Sequence, residues 1–136
     1  MRVFLDTNVI VSAAATRGLC ADVLREALAH HDLIASEVLL GEIHKVLATK
    51  LGVPMELASE VVALIRESSF LSEPSGAIDV SIGSDEDRAL IRAAVAGRAE
   101  LFVTGDRELL ETARSGQMEI GSPRVFWERI RGRRAG

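Results

Sequence analysis

The sequence has one cysteine, no tyrosine and few aromatic residues of any kind, 4% of its 136 residues. The single cysteine, Cys20, cannot form an internal disulfide, and its isolation excludes a cysteine-rich zinc site. With so few aromatics, the core must consist mostly of leucine, valine, isoleucine and alanine. The hydrophobic content of 48% and the charged content of 26% exclude a disordered chain. At this length they predict one domain, residues 1–136.

The sequence also lacks a long apolar segment behind basic residues. Neither a signal peptide nor a membrane span is therefore expected, and the cytoplasm is the expected compartment. The formal net charge of −4 argues against a general nucleic-acid coat. The basic C-terminal tail, about residues 129–136, is an exception to this acidic balance. A solvated terminus and an electrostatic contact to phosphate are both open interpretations of it.

Two short apolar segments end at an aspartate. Residues 3–5 stop at Asp6, and residues 101–104 are followed by Gly105 and Asp106. Apolar runs of this length, bounded by polar turn residues, are typical of buried parallel strands. Because open α/β sheets bind their ligands at the carboxyl ends of such strands, we expect the two aspartates to share one acidic site.

Helical and strand-like patterns alternate along the rest of the chain. Ser36 and Ser84 have the character of N-caps before two of the predicted helices. The predicted helices cover about residues 9–15, 23–28, 37–49, 54–65, 84–97 and 107–113, and further strands are predicted at residues 33–35, 69–71 and 125–127. Residues 74–76 mark a loop, and the segment from there through residue 81 is ambiguous. The alternation predicts an α/β fold, a three-layer α/β/α sandwich around a central parallel sheet of about five strands.

Two further carboxylates come from predicted helices. Glu42 has Leu39 and Val46 as helical neighbours, so it borders an apolar face and does not oppose it. Glutamate is rarely buried unless it is paired or bound to a metal. Asp87 lies on the same side of its helix as Leu90 and Ile91, which points it toward the sheet.

Each of these acids also has a purely structural interpretation. Asp6 could cap the helix that follows it, and Asp106 could be an ordinary turn residue. Glu42 could be a solvated residue at the edge of its apolar face, and Asp87 forms a capping-box pattern with Ser84. Considered together, four carboxylates in one crevice would repel each other unless some are protonated or a cation neutralises them. Oxygen ligands without cysteine or clustered histidine favour Mg²⁺ or Mn²⁺ over Zn²⁺.

Four segments of the sequence carry a resemblance to a known family. They are Val-Phe-Leu-Asp-Thr-Asn-Val-Ile at residues 3–10, Glu42 in its helix, Ser-Asp-Glu-Asp-Arg at residues 84–88, and Val-Thr-Gly-Asp-Arg-Glu-Leu-Leu at residues 103–110. In this order and spacing they make the chain resemble the PIN-domain family, the metal-dependent ribonucleases that include the VapC-type toxins of toxin–antitoxin pairs. The resemblance covers almost the whole chain, and its first and last segments are the most specific.

The resemblance implies a site, an activity and partners. The acidic quartet that holds Mg²⁺ or Mn²⁺ and hydrolyses RNA would be Asp6, Glu42, Asp87 and Asp106, supported by the polar residues Asn8 and Thr104. The family also implies the strand order 3-2-1-4-5, a homodimer and a cognate antitoxin protein. With RNA as the substrate, the arginines of the basic C-terminal tail become candidates for backbone contact: Arg129, Arg131, Arg133 and Arg134.

The sequence departs from the family in the third segment, and it leaves other functions to consider. Many relatives have Asp where Ser84 stands and Asn where Arg88 stands, so Asp85 becomes a possible substitute ligand. The alternative to a nuclease is a non-catalytic PIN module that binds RNA or a protein partner, although a scaffold does not need a repulsive cluster. A phosphatase of the haloacid dehalogenase type would need a second Asp where Asn8 stands.

Overall fold

The computed structural model describes residues 1–74, 84–112, 114–115 and 117–135, without the side chains of residues 114–115 and 133–135. The loop predicted at residues 74–76 and the ambiguous segment through residue 81 therefore lie almost entirely outside the described residues. Within those residues, no helix combines the length and the apolar character that a membrane span requires.

Among the described residues, the centre of the fold is a six-stranded sheet. Its strands are β1 (Arg2–Leu5), β2 (Asp32–Ala35), β3 (Phe70–Leu71), β4 (Leu101–Val103), β5 (Arg114–Ser115) and β6 (Met118–Gly121). They lie in the order β3-β2-β1-β4-β6-β5. The first five in this order pair in parallel, and the two-residue β5 is antiparallel to β6. The parallel sheet of five strands in the order 3-2-1-4-5 is therefore confirmed, with β6 in the fifth place.

Seven helices of the described part of the chain connect and cover these strands. They are α1 (Thr7–Ala15), α2 (Leu19–His30), α3 (Glu37–Thr49), α4 (Met55–Ser68), α5 (Asp85–Ala96), α6 (Arg107–Thr112) and α7 (Pro123–Ala135). Two of the predicted caps are present, because the hydroxyl of Ser36 accepts from the N–H of Leu39 and that of Ser84 accepts from the N–H of Asp87. Local sequence chemistry therefore sets where α3 and α5 begin.

Helices cover both faces of the sheet. Successive side chains of a strand point to opposite faces, yet Val3, Phe4 and Leu5 are all fully buried. Phe4 and the neighbouring Phe102 stack with ring centroids 5.3 Å apart. The three-layer α/β/α sandwich predicted from the alternation of elements is therefore confirmed.

The strand predicted at residues 125–127 is wrong, because this segment lies inside α7. Ser122 caps the helix, since its hydroxyl accepts from the N–H of Val125 at 3.2 Å, and Pro123 occupies the first helical position. Serine followed by proline is a strong signal for a helix start. The apolar run 125–127 contributes Phe126 to the core from a helix. The strand that pairs with β4 on this side of the sheet is β6, immediately before that helix.

Gly97, at the end of α5, allows this helix to lie close against β2. A Cβ atom at this position would be 2.6 Å from Cγ2 of Ile34 and 3.1 Å from Cβ of Ser72. The hydroxyl of Ser72 also donates to the carbonyl of Ala93, at 2.8 Å. Because α5 carries Asp87 at its other end, this close contact helps to fix where that carboxylate lies.

We expect Gly97→Ala to destabilise the protein by about 1–3 kcal/mol, because the added methyl group overpacks the contact with Ile34. Gly41→Ala is the matched control. Gly41 lies within α3, where a Cβ atom would meet nothing within 4 Å, so alanine should stabilise the protein by about 0.5–1 kcal/mol. Urea denaturation of both variants measures the difference. Equal stability of the two would contradict the close contact.

Candidate metal centre

The candidate centre lies at the carboxyl ends of the neighbouring strands β1 and β4. Leu5 is in register with Val103, and the N–H of Asp6 donates to the carbonyl of Val103 at 2.8 Å. Asp6 is therefore held by the last backbone hydrogen bond between β1 and β4, and the residue is only 4% exposed. The two strand-end aspartates that the sequence singled out thus belong to one edge of the sheet.

Thr104 links the two strand ends. It is completely buried, and its hydroxyl donates to Oδ2 of Asp6 at 2.7 Å while accepting from the N–H of Asp106 at 3.0 Å. Asp106 also caps α6, because its Oδ1 accepts from the N–H of Leu109 at 3.2 Å. The carboxylate of Asp106 is half-buried and acts electrostatically on Asp6. Asn8, the other predicted supporting residue, is exposed in the first turn of α1.

Glu42 reaches the centre from α3, which packs against α1. Its carboxylate is half-buried, and it interacts electrostatically with Glu86, Asp6 and Asp87. Two buried side-chain atoms have no hydrogen-bond partner among the described residues, and both are here: Oε2 of Glu42 and Oγ1 of Thr7. The Thr7 hydroxyl lies near enough to influence Glu42, although the pair does not have hydrogen-bond geometry.

Asp87 and Asp85 occupy the same helix start but different surroundings. Asp87 is half-buried and completes a capping box, with its Oδ2 accepting from the N–H of Ser84 at 3.2 Å. It also acts electrostatically on both Asp6 and Glu42. The side chain of Asp85 is 96% exposed and pairs with Arg88. The helix therefore brings Asp87 to the centre and leaves Asp85 outside it.

Burial and mutual repulsion raise the pKa of two of these carboxyl groups. For Asp6, loss of solvation is the main cause, and the negative charges of Asp87 and Asp106 add to it against the hydrogen bonds from Thr104 and Thr7. For Glu42, loss of solvation is again the main cause, followed by the charges of Glu86, Asp6 and Asp87. The centre therefore resists full ionisation and would gain from a nearby cation.

The chemical type of the available ligand atoms suits a hard divalent cation. They are carboxylate oxygens, and the unpartnered Oε2 of Glu42 is an acceptor that a cation or its water would satisfy. Within the described part of the chain, however, no group of three or more His, Cys, Asp or Glu side chains is arranged to hold a metal ion by itself.

The structure places Arg129 at the opposite edge of the sheet from the acids. Its guanidinium donates to Oε2 of Glu119 at 2.7 Å, and both line a cavity of about 630 Å³ beside Met1 and Glu100, where the parallel strands begin. The tail that was predicted from residue 129 is the second half of α7. Arg131 is exposed there, while the side chains of Arg133 and Arg134 lie outside the described residues.

The fold and the centre define a class of protein, in which an open parallel α/β sheet carries an acidic cluster at its strand ends. The sequence pattern of the PIN domain matches residues 2–108, and the chain therefore belongs to the PIN-domain family. No curated protein gives a significant match to the sequence.

Among solved structures, the chain is similar to a chain in the crystal structure of VapBC2 from Rickettsia felis bound to a DNA fragment from their promoter. The TM-score is 0.63 at 14% sequence identity, and the similarity covers 90% of this chain and 98% of the other. At this level of identity the similarity supports the fold.

Sequence reasoning missed two residues that the structure brings to the centre. Thr7 follows Asp6 directly and lay outside the helix predicted at residues 9–15, yet it is only 3% exposed and begins α1. Glu86 was treated as part of a helix-capping segment. Its negative charge nevertheless raises the pKa of Glu42, and only the loss of solvation has a larger effect on that pKa. Burial of a hydroxyl beside a strand-end aspartate is not visible in the sequence, and the contact between α3 and α5 is a long-range feature.

Glu42→Gln should stabilise the metal-free protein at neutral pH. Because folding raises the pKa of Glu42, the folded state binds its proton more tightly than the unfolded chain, and stability falls as pH rises above the ordinary value of 4.5. Glutamine carries no charge, so the Tm of the variant in EDTA should exceed that of wild type at neutral pH. The difference should vanish below about pH 4, where both states are protonated.

Thermal denaturation at the two pH values checks this expectation, with Glu60→Gln on the exposed surface of α4 as the matched control. The control should leave the Tm difference near zero at both values. A stabilisation by Glu42→Gln that persists unchanged at low pH would contradict the assignment to ionisation.

Proposed function

We propose that the protein is a Mg²⁺- or Mn²⁺-dependent endoribonuclease and the toxin of a toxin–antitoxin pair. The observation that carries the proposal is the buried carboxylate of Asp6, held by Thr104 and facing the charges of Asp87 and Asp106. A purely structural role does not explain why a fold would bury this carboxylate beside other acids. Membership of the PIN-domain family supports nuclease activity, and we place that activity in the cytoplasm.

In this proposal the residues of the chain bind the cation and fix the orientation of its ligands. Asp6, Glu42, Asp87 and Asp106 hold the cation directly or through its waters, and Thr104 fixes Asp6 and the backbone of Asp106. A bound Mg²⁺ or Mn²⁺ supplies activation of water and stabilisation of charge on the phosphoryl oxygens. Asn8, exposed in the first turn of α1, is available to the substrate.

The arginines of α7 remain proposed contacts to the RNA backbone. Because Arg129 lies at the far edge of the sheet and is already paired with Glu119, a strand of RNA would have to extend along α7 to reach it. Arg131, Arg133 and Arg134 lie further along the same helix. Their contribution would be to affinity and its dependence on salt rather than to the reaction.

Asp6→Asn should reduce cleavage of a labelled structured RNA pool by at least about a hundredfold in Mg²⁺ or Mn²⁺, because it removes a charge at the reacting centre while keeping the side-chain shape. The matched control is Asp32→Asn, the same substitution at an exposed position where β2 begins, at the opposite edge of the sheet. EDTA should abolish cleavage by both wild type and the control.

Two further variants separate the acids of α5. Asp87→Asn should lose cleavage, and Asp85→Asn should retain it, because Asp85 is exposed and paired with Arg88. Cleavage that survives Asp6→Asn, or that survives EDTA, would contradict the proposal. A folded wild type that is stabilised by Mn²⁺ but cuts no RNA would favour the non-catalytic module instead.

The proposed partners are an antitoxin protein and a second copy of the chain. An apolar groove of about 480 Å³ lies between the end of α1, α3 and α4, and it is lined by Ala14, Ala15, Leu47, Val53, Leu57, Glu60, Val61 and Leu64. Leu57 and Leu64 remain 51% and 52% exposed there. Exposed apolar patches of this kind mark protein-interaction sites, and the similar chain comes from a VapBC2 structure. We propose that an apolar segment of the antitoxin covers this groove.

Leu64→Glu should weaken binding of a candidate antitoxin, the small protein encoded next to the toxin gene, by about tenfold or more, because it places a charge in an apolar contact. Met55→Glu is the control, since Met55 is 70% exposed on the same helix and does not line the groove. Co-expression and titration calorimetry measure the effect. Equal weakening by both variants would place the antitoxin elsewhere.

A further inference from the structure

Thr7 is the first residue of α1, and its side chain has an unusual position. It is only 3% exposed, and its hydroxyl has no hydrogen-bond partner among the described residues. Its backbone N–H donates to Oδ1 of Asp6 at 2.8 Å. A buried hydroxyl without a partner is unfavourable, and such groups in a folded protein require an explanation.

The second unpartnered buried atom in the described part of the chain lies across the contact between α1 and α3. It is Oε2 of Glu42, and the Thr7 hydroxyl is near enough to act on this carboxyl group. A hydroxyl is a donor with a freely rotating hydrogen, and an ionised carboxylate is the strongest acceptor that it can meet here. The Thr7 hydroxyl and the Glu42 carboxylate are therefore a suitable donor and acceptor that do not form a hydrogen bond with each other in this structure.

We propose that Thr7 is a positioning residue for Glu42, whose carboxylate it binds through its hydroxyl when a divalent cation occupies the centre. The Glu42 carboxylate then accepts a hydrogen bond from the buried Thr7 hydroxyl at one oxygen and leaves its other oxygen to the cation or its waters. This inference rests on the proposed function, because it needs a cation at the centre. Thr7 touches neither the cation nor the RNA in this role.

A packing role for Thr7 predicts a different outcome from a positioning role. Valine has nearly the shape of threonine and keeps both branches at Cβ, so Thr7→Val preserves the contact between the helices. It removes only the hydroxyl. If Thr7 serves packing alone, Thr7→Val should lower neither the Mn²⁺ affinity nor the thermal stability. It even removes an unsatisfied polar atom from the metal-free protein.

The test is Mn²⁺ affinity, measured by titration calorimetry without RNA, together with thermal denaturation in EDTA. Thr7→Val should weaken Mn²⁺ binding about tenfold or more, the typical effect of losing a hydrogen bond to a charged group. Thr7→Ser should bind like wild type because it keeps the hydroxyl. The Tm of Thr7→Val in EDTA should equal or exceed that of wild type. Thr16→Val, at the other end of α1, is the matched control and should leave Mn²⁺ affinity unchanged.

A double-mutant cycle tests whether Thr7 acts through Glu42. In the Glu42→Gln background, Thr7→Val should change Mn²⁺ affinity by less than about twofold, because the charged acceptor is absent. An equal loss in both backgrounds would overturn the inference, and so would wild-type affinity in Thr7→Val. If Thr7→Val does not fold, Thr7→Ala replaces it in the same cycle.

The inference and the proposed function fail in distinguishable ways. A wild type that binds Mn²⁺ and cleaves RNA, together with a Thr7→Val variant of unchanged Mn²⁺ affinity, overturns the inference alone. A folded wild type that binds no Mn²⁺ overturns both.

Discussion

The parallel pairing of β1 with β4 is the constraint on which the rest of the structure depends. It places the ends of two strands that are far apart in the sequence side by side. The backbone N–H of Asp6 donates a hydrogen bond to the carbonyl of Val103 there. Thr104 then needs only to continue its strand by one residue to reach Asp6. The helices that follow the two strands, α1 and α6, begin at this edge, so their first residues necessarily surround the same crevice.

This arrangement has an energetic consequence for the metal-free protein. Asp6 receives hydrogen bonds from Thr104 and Thr7, which favour its ionised form, but burial and the neighbouring acids outweigh them and raise its pKa. Glu42 is in a similar position with fewer hydrogen bonds to compensate. Stability is therefore reduced at the point where the acids meet, as is common at functional sites, and the large apolar core has to compensate for it.

The fold could be predicted from local patterns wherever the pattern has one physical meaning. Short apolar runs bounded by polar residues predicted β1, β2 and β4, and capping residues marked the starts of α3 and α5. The segment at residues 125–127 was misassigned because a short apolar run suits a buried strand and a buried helix equally well. The preceding Ser122 and Pro123 carried the correct signal, which is the chemistry of a helix start.

Some residues of the candidate site could likewise be predicted from local sequence, and others could not. Asp6 and Asp106 follow from their positions after two apolar strands, and Glu42 and Asp87 follow from their places beside the apolar faces of two predicted helices. What the sequence could not reveal is how side chains face each other across packed helices. Asp85 and Asp87 differ by two positions and have the same chemistry, but only packing shows that one pairs with Arg88 in solvent while the other faces Asp6.

Thr7 could not be predicted for the same reason. Its hydroxyl becomes informative only when α1 packs against α3 and its lack of a hydrogen-bond partner can be seen. Residues that coordinate or react tend to be conspicuous by type, whereas residues that position them are recognised by what surrounds them.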